Sequence, residues 1–208
     1  MEKIKIGDVV ARKSYNYDIF FIVDKIIQNE NARKTAILKG ITSRIVADAY
    51  VNDLIILDNK KLDDSLRSLD NKIEDRINRF IKKEKDKIKS KERKLEYEKT
   101  GKILHLDGDK MYSEKAARYY KKMGLNAVVK NIPENKQYLI VKDYINKYNP
   151  DILVLTGHDG MIKTGMKYSD ISNYRNSKYF VQGVMEARKL CPSSVKLAIF
   201  ARCMSKFF

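Results

Sequence analysis

The run Ile152-Leu153-Val154-Leu155-Thr156-Gly157-His158-Asp159-Gly160 decides how this chain is read. Its four leading residues are all apolar, with no polar alternation. A strand of that kind is buried on both faces, which implies a parallel sheet lying between layers of helices. Gly157 and Gly160 bracket a histidine and an aspartate just past the strand. In an open parallel sheet, ligands bind at this carboxyl edge. The histidine is therefore the first candidate for chemistry.

Working outward, residues 100–208 alternate strand and helix. Ile103-Leu104-His105-Leu106 reads as the first strand. Ser113 is expected to cap a helix from Glu114 to Met123, with Gly124 ending it. Ala127-Val128-Val129 is a second strand. A helix from Asn135 to Tyr148 stops at Asn149-Pro150. Ser177 to Leu190 is a third helix, stopped by Cys191-Pro192. Leu197-Ala198-Ile199-Phe200 is a fourth strand. Crossovers between parallel strands are right-handed, which makes the strands at 152–155 and 197–200 expected neighbours.

The residues that leave these strands are Asp107-Gly108-Asp109, His158 and Cys203. A histidine and a cysteine at one edge of adjacent strands suit nucleophilic catalysis. The imidazole takes the thiol proton and the thiolate attacks a carbonyl. Backbone N–H groups at Gly160 and at the cysteine are the expected oxyanion donors. His105 lies inside a strand and is expected to pack against a helix. Cys191, at a helix end before proline, reads as structural.

The first 58 residues have a different texture. Val9-Val10-Ala11, Ile19 to Val23, Thr35 to Leu38 and Ile45-Val46-Ala47 are short apolar or β-branched runs. Gly7-Asp8, Asn16-Tyr17-Asp18, Asn29-Glu30-Asn31 and Gly40 separate them. Five short strands here suggest a small SH3-like β-barrel. Residues 59–99 contain no glycine or proline. Leu62, Leu66, Leu69, Ile73 and Ile77 recur at helical spacing, so this segment reads as an amphipathic, charged helix linking two domains. Acids interspersed among its lysines, Glu92 and Glu96 included, would repel phosphate.

Composition sets the outer limits. Of the 208 residues, 43% are hydrophobic, which is enough for a packed core and argues against wholesale disorder. No run of about 18 apolar residues exists to span a bilayer, and Met1-Glu2-Lys3-Ile4-Lys5 lacks the apolar run of a secretory signal. Two cysteines do not indicate a disulfide framework, and a reducing compartment fits them. The net charge of +16 admits a competing class, a non-catalytic basic module for nucleic acid or for protein recruitment. A cobalamin-type ligand domain would need Asp-x-His-x-x-Gly after the first strand. Counted from Asp109, the histidine position holds Met111 and the glycine position Glu114, so that class is excluded. No cofactor and no metal are expected.

Two strands ending in a His-x-Gly turn and a cysteine resemble the caspase-like cysteine peptidases, with Asp159 intervening where that group has His-Gly. A second resemblance covers the whole chain. The opening Gly7-Asp8-Val9-Val10-Ala11-Arg12-Lys13-Ser14-Tyr15, the stretch Leu104 to Asp109, the stretch Leu155 to Gly160, and Asn173-Tyr174-Arg175-Asn176-Ser177-Lys178-Tyr179-Phe180 are similar to the YabG family of sporulation-specific peptidases. That resemblance implies a cysteine endopeptidase that processes spore coat and coat-morphogenetic proteins. It would act in the cytoplasm of the sporulating cell and in association with the coat, without a membrane partner. By the same resemblance His158 is the catalytic base. The family cuts after basic residues, which makes Asp107 and Asp109 candidates for the specificity pocket.

The tail departs from the family. Its nucleophile segment reads Ala-Gly-Ala-Cys-Gln-Ser-Phe-Phe-Glu and continues. This chain reads Ala201-Arg202-Cys203-Met204-Ser205-Lys206-Phe207-Phe208. One DNA sequence encodes both: GCA GGT GCA TGT CAA AGT TTT TTT GAA gives the family segment, and its shifted frame AGG TGC ATG TCA AAG TTT TTT TGA gives the seven residues after Ala201 and a stop. The expectation is a C-terminally incomplete peptidase domain with Cys203 within one residue of the family's nucleophile, and a chain that is a poor protease or none.

Overall fold

The computed structural model describes residues 3–28, 34–91, 101–162, 170–190 and 196–197. The chain divides into two compact units. One holds the described residues within 1–67 and 157–178. The other holds those within 68–156 and 179–201.

The first unit is an antiparallel sheet. Its strands are β1 (Val9–Arg12), β2 (Phe21–Gln28), β3 (Lys34–Gly40), β4 (Val46–Tyr50) and β5 (Leu54–Ile56), in the order β4-β3-β2-β1-β5. Alternation along β3 sends Ala36 and Leu38 inward, where they meet Val10, Phe21, Val23, Ala49 and Leu54. Period-two patterning of this kind gives a sheet with one packed face.

The expected closed barrel is corrected. The end strands β4 and β5 are joined by a single 3-10 turn, Val51–Asp53, and no pairing between them exists among the described residues. The edge of β4 is instead met by a distant piece of chain. Ile45 bridges Asp159 in parallel, and the Val46 amide donates to the Asp159 carbonyl at 2.9 Å. An edge strand carries a row of unpaired backbone groups, and here part of that row is satisfied by the loop after residue 156.

The second unit is a parallel sheet of β6 (Ile103–Asp107), β7 (Ala127–Asn131), β8 (Ile152–Thr156) and β9 (Lys196–Leu197), in the order β7-β6-β8-β9. β8 and β9 are parallel neighbours, as the sequence reading expects. Residues 198–200 of the expected fourth strand lie outside the described residues. All five residues of β6 are buried. Leu104 and Leu106 pack with Leu153, Leu155, Val141, Ile145 and Ala187 into the core of this unit.

The helices are α1 (Asn59–Lys91), α2 (Lys110–Lys122), α3 (Glu134–Tyr148) and α4 (Ser177–Leu190). Along α1, Leu62, Leu66, Leu69 and Ile73 are half-buried and Ile77 is buried, while Phe80 is exposed. Acids of α1 serve structure: Asp70 pairs with Lys115, and Glu74 with Lys122, both on α2. The cap of α2 is Asp109, which accepts from the Tyr112 amide at 3.0 Å. The expected cap, Ser113, sits inside the helix and donates its hydroxyl to the Lys110 carbonyl at 2.8 Å. Among the described residues, no helix is long and apolar enough to cross a membrane.

Candidate active site

His158 follows the last residue of β8 by two positions and is 3% exposed. Its Nε2 lies 3.4 Å from the carbonyl oxygen of Gly40, at the end of β3. A carbonyl can only accept, so this contact puts the ring proton on Nε2. In the neutral ring Nδ1 is then the nitrogen able to take a proton.

The backbone around the ring is fastened closely. Asn176 Nδ2 donates to the His158 carbonyl at 2.6 Å. The Asp159 amide donates to the Arg44 carbonyl at 3.3 Å. The Arg175 amide donates to the Gly160 carbonyl at 3.0 Å, the Ile162 amide donates to the Asn173 carbonyl at 2.7 Å, and Met161 bridges Tyr174. The Arg175 guanidinium pairs with Asp48 on β4. Gly160 is required by contact: a Cβ there would collide with the Val46 carbonyl.

The carboxylate of Asp159 collects three donors. Oδ1 accepts from the Gly160 amide at 2.7 Å and the Asn176 amide at 3.0 Å, and Oδ2 accepts from the Ser177 hydroxyl. The Gly160 amide, offered by the sequence as an oxyanion donor, is thus engaged by its neighbour's side chain. It becomes available to an oxyanion only when Asp159 releases it.

The second histidine occupies a different setting. His105 is 5% exposed on β6. Its Nε2 lies 2.8 Å from Thr156 Oγ1 and 3.6 Å from Asp107 Oδ2, and its Nδ1 lies 3.3 Å from the Tyr120 hydroxyl on α2. Burial raises the Tyr120 phenol above its ordinary range, and the charge of Asp107 adds to that. Asp107 is fully buried and accepts from the Asp109 amide at 2.9 Å. Asp109 is half-buried at the start of α2. Cys191 and Cys203 lie outside the described residues, so no distance joins either thiol to His158. Among the described residues no group of three or more His, Cys, Asp or Glu side chains is gathered for a metal.

The family model for YabG peptidase U57 matches residues 5–208. The chain belongs to the YabG peptidase family. The sporulation-specific protease YabG of Bacillus subtilis (strain 168) is 37% identical over 219 residues, covering 99% of this chain and 74% of that protein. No solved structure matches. Family membership makes the chain a sporulation peptidase.

The geometry shows how two stretches similar to the YabG family relate. The loop after β8 and the segment 173–177 are fastened to each other by side-chain and backbone hydrogen bonds. Sequence reading singled out both stretches but gave Asn176 and Ser177 no role. Their signal was present: Asn-Ser directly before a helical run is capping chemistry. Thr156 was also passed over, although a polar residue ending an apolar strand beside a histidine-bearing strand invites a pairing.

Proposed function

We propose that this peptidase is a cysteine endopeptidase in which His158 is the general base and Cys203 the nucleophile. The observation that carries the reading is the contact between His158 Nε2 and the Gly40 carbonyl, which sets Nδ1 as the proton acceptor. Nδ1 takes the thiol proton, and the thiolate sulfur bonds to the scissile carbonyl carbon. The resulting oxyanion collapses, the C–N bond breaks, and the imidazolium returns its proton to the leaving amine. Water then attacks the thioester with the same imidazole as base, releasing the acid and the thiol.

The substrates in this reading are spore coat and coat-morphogenetic proteins, met in the sporulating cell and at the coat. The acids offered for the basic side chain before the cut, Asp107 and Asp109, belong to the other compact unit, not the one that holds His158. Asp109 suits that role better, because Asp107 is fully buried against His105. The order β4-β3-β2-β1-β5 with a 3-10 turn before the last strand supports an opened SH3-like sheet. The parallel strand leading to His158 supports a caspase-like arrangement.

The test is covalent trapping. A peptidyl acyloxymethyl ketone with arginine at its reactive end is incubated with the full chain, and the adduct is located by peptide mass mapping. The expected adduct is on Cys203, and it is lost in His158→Ala. Substrate cleavage by a chain whose Cys203 stays unmodified would refute the cysteine mechanism.

A further inference from the structure

The His158 loop is held by more polar contacts than its own turn requires. The three donors on the Asp159 carboxylate come from two places in the chain: the next residue, and the start of α4 at Asn176 and Ser177. The same Asn176 reaches back to the His158 carbonyl. Asp159's own backbone is threaded onto the edge of β4 through Arg44 and Val46. His158 is therefore gripped on its carbonyl and at the following residue, and its ring is delivered to the Gly40 carbonyl. The chemistry favours a carboxylate at 159. Only a carboxylate presents acceptors on both oxygens, whereas an amide would turn one of them into a donor. A carboxylate at the first residues of a helix is also favoured by the helix dipole.

We propose that Asp159 is a positioning residue of the peptidase: acting through Asn176 and Ser177, it sets the His158 imidazole against the Gly40 carbonyl and so fixes which ring nitrogen is basic. The proposal rests on the reading of His158 as the base. It also gives the antiparallel sheet a part in the chemistry, because Gly40, Arg44 and Val46 all belong to that unit.

The chain has two histidines, so imidazole signals in a nitrogen-15 spectrum are separable, and His158→Ala assigns them. In the unsubstituted chain His158 is expected as the Nε2–H tautomer. In Asp159→Ala it moves to a mixture of tautomers, while the His105 signals stay in place. Asp159→Asn falls between the two, because one acceptor survives. Cleavage should follow: kcat falls about 100-fold in Asp159→Ala, the size of effect that about 1 Å of misplacement produces, while KM changes little.

An unchanged His158 tautomer in Asp159→Ala would overturn the proposal, even if the variant melts earlier. If Asp159→Ala does not fold, Asn176→Ala and Ser177→Ala each remove one link. An unchanged tautomer in both overturns the proposal equally, and a shift in either supports it. Wild-type cleavage by His158→Ala would defeat the base assignment alone, since the tautomer measurement does not depend on turnover.

Discussion

The two histidines of this chain sit in opposite kinds of structure. His105 is built into β6, between parallel neighbours, with Thr156 on one ring nitrogen and Tyr120 on the other. His158 is carried by a loop fastened to an antiparallel sheet, and a backbone carbonyl fixes its Nε2. Both are almost wholly buried. Burial therefore does not tell them apart; the partners do. Two hydroxyl groups and a carboxylate beside one imidazole make a polar joint between a strand and a helix. A backbone carbonyl at Nε2 orients the ring of His158, as the proposed base requires. The comparison predicts that damage to the first costs stability and damage to the second costs rate.

The sharpest way to break that contrast is to remove His105. His105→Ala leaves the hydroxyls of Thr156 and Tyr120 and the Asp107 carboxylate without their shared partner in a buried site. Such orphaned groups cost about 2 kcal/mol. The expected outcome is a lower urea midpoint, read from the helical signal of the full chain, with kcat changed only a few-fold. A kcat loss matching that of His158→Ala, with no fall in the midpoint, would erase the distinction.

A smaller effect sharpens it through pH. Burial and the Asp107 charge raise Tyr120 above its ordinary value of 10.0. A phenol whose folded pKa is raised lends stability that is whole below its unfolded pKa and is lost as pH rises through the folded one. The wild-type chain should therefore lose urea resistance as pH rises past the ordinary phenol value of 10.0 more steeply than Tyr120→Phe, because the variant lacks the titrating group. Parallel slopes for the two proteins would show that Tyr120 is not held protonated by its surroundings.

How much of this was legible in the sequence varies with the range of the interaction. β6 and β8 were legible because strands buried on both faces read as unbroken apolar runs. The end of α2 was legible from Gly124, which takes φ of +69° where other side chains are strained. Its start was not, because Asp109 and Ser113 are both capping types and only the fold chose between them. The open sheet was misread as a barrel for a longer-range reason. Nothing within residues 1–58 announces that the edge of β4 will be met by Asp159. The same ignorance made Asp159 look like an intrusion between His158 and Gly160. In the fold it is the residue to which Gly160, Asn176 and Ser177 all donate.

The central claim is that His158, and not His105, is the base of this peptidase. The measurement that bears on it most directly is the rate at which the full chain and its His158→Ala variant cleave one protein substrate, with far-UV circular dichroism confirming that both are folded. A positioned base contributes about 10²–10⁴-fold to the rate, so a loss of that size with an unchanged spectrum is expected. Cleavage by His158→Ala at close to the wild-type rate would contradict the assignment.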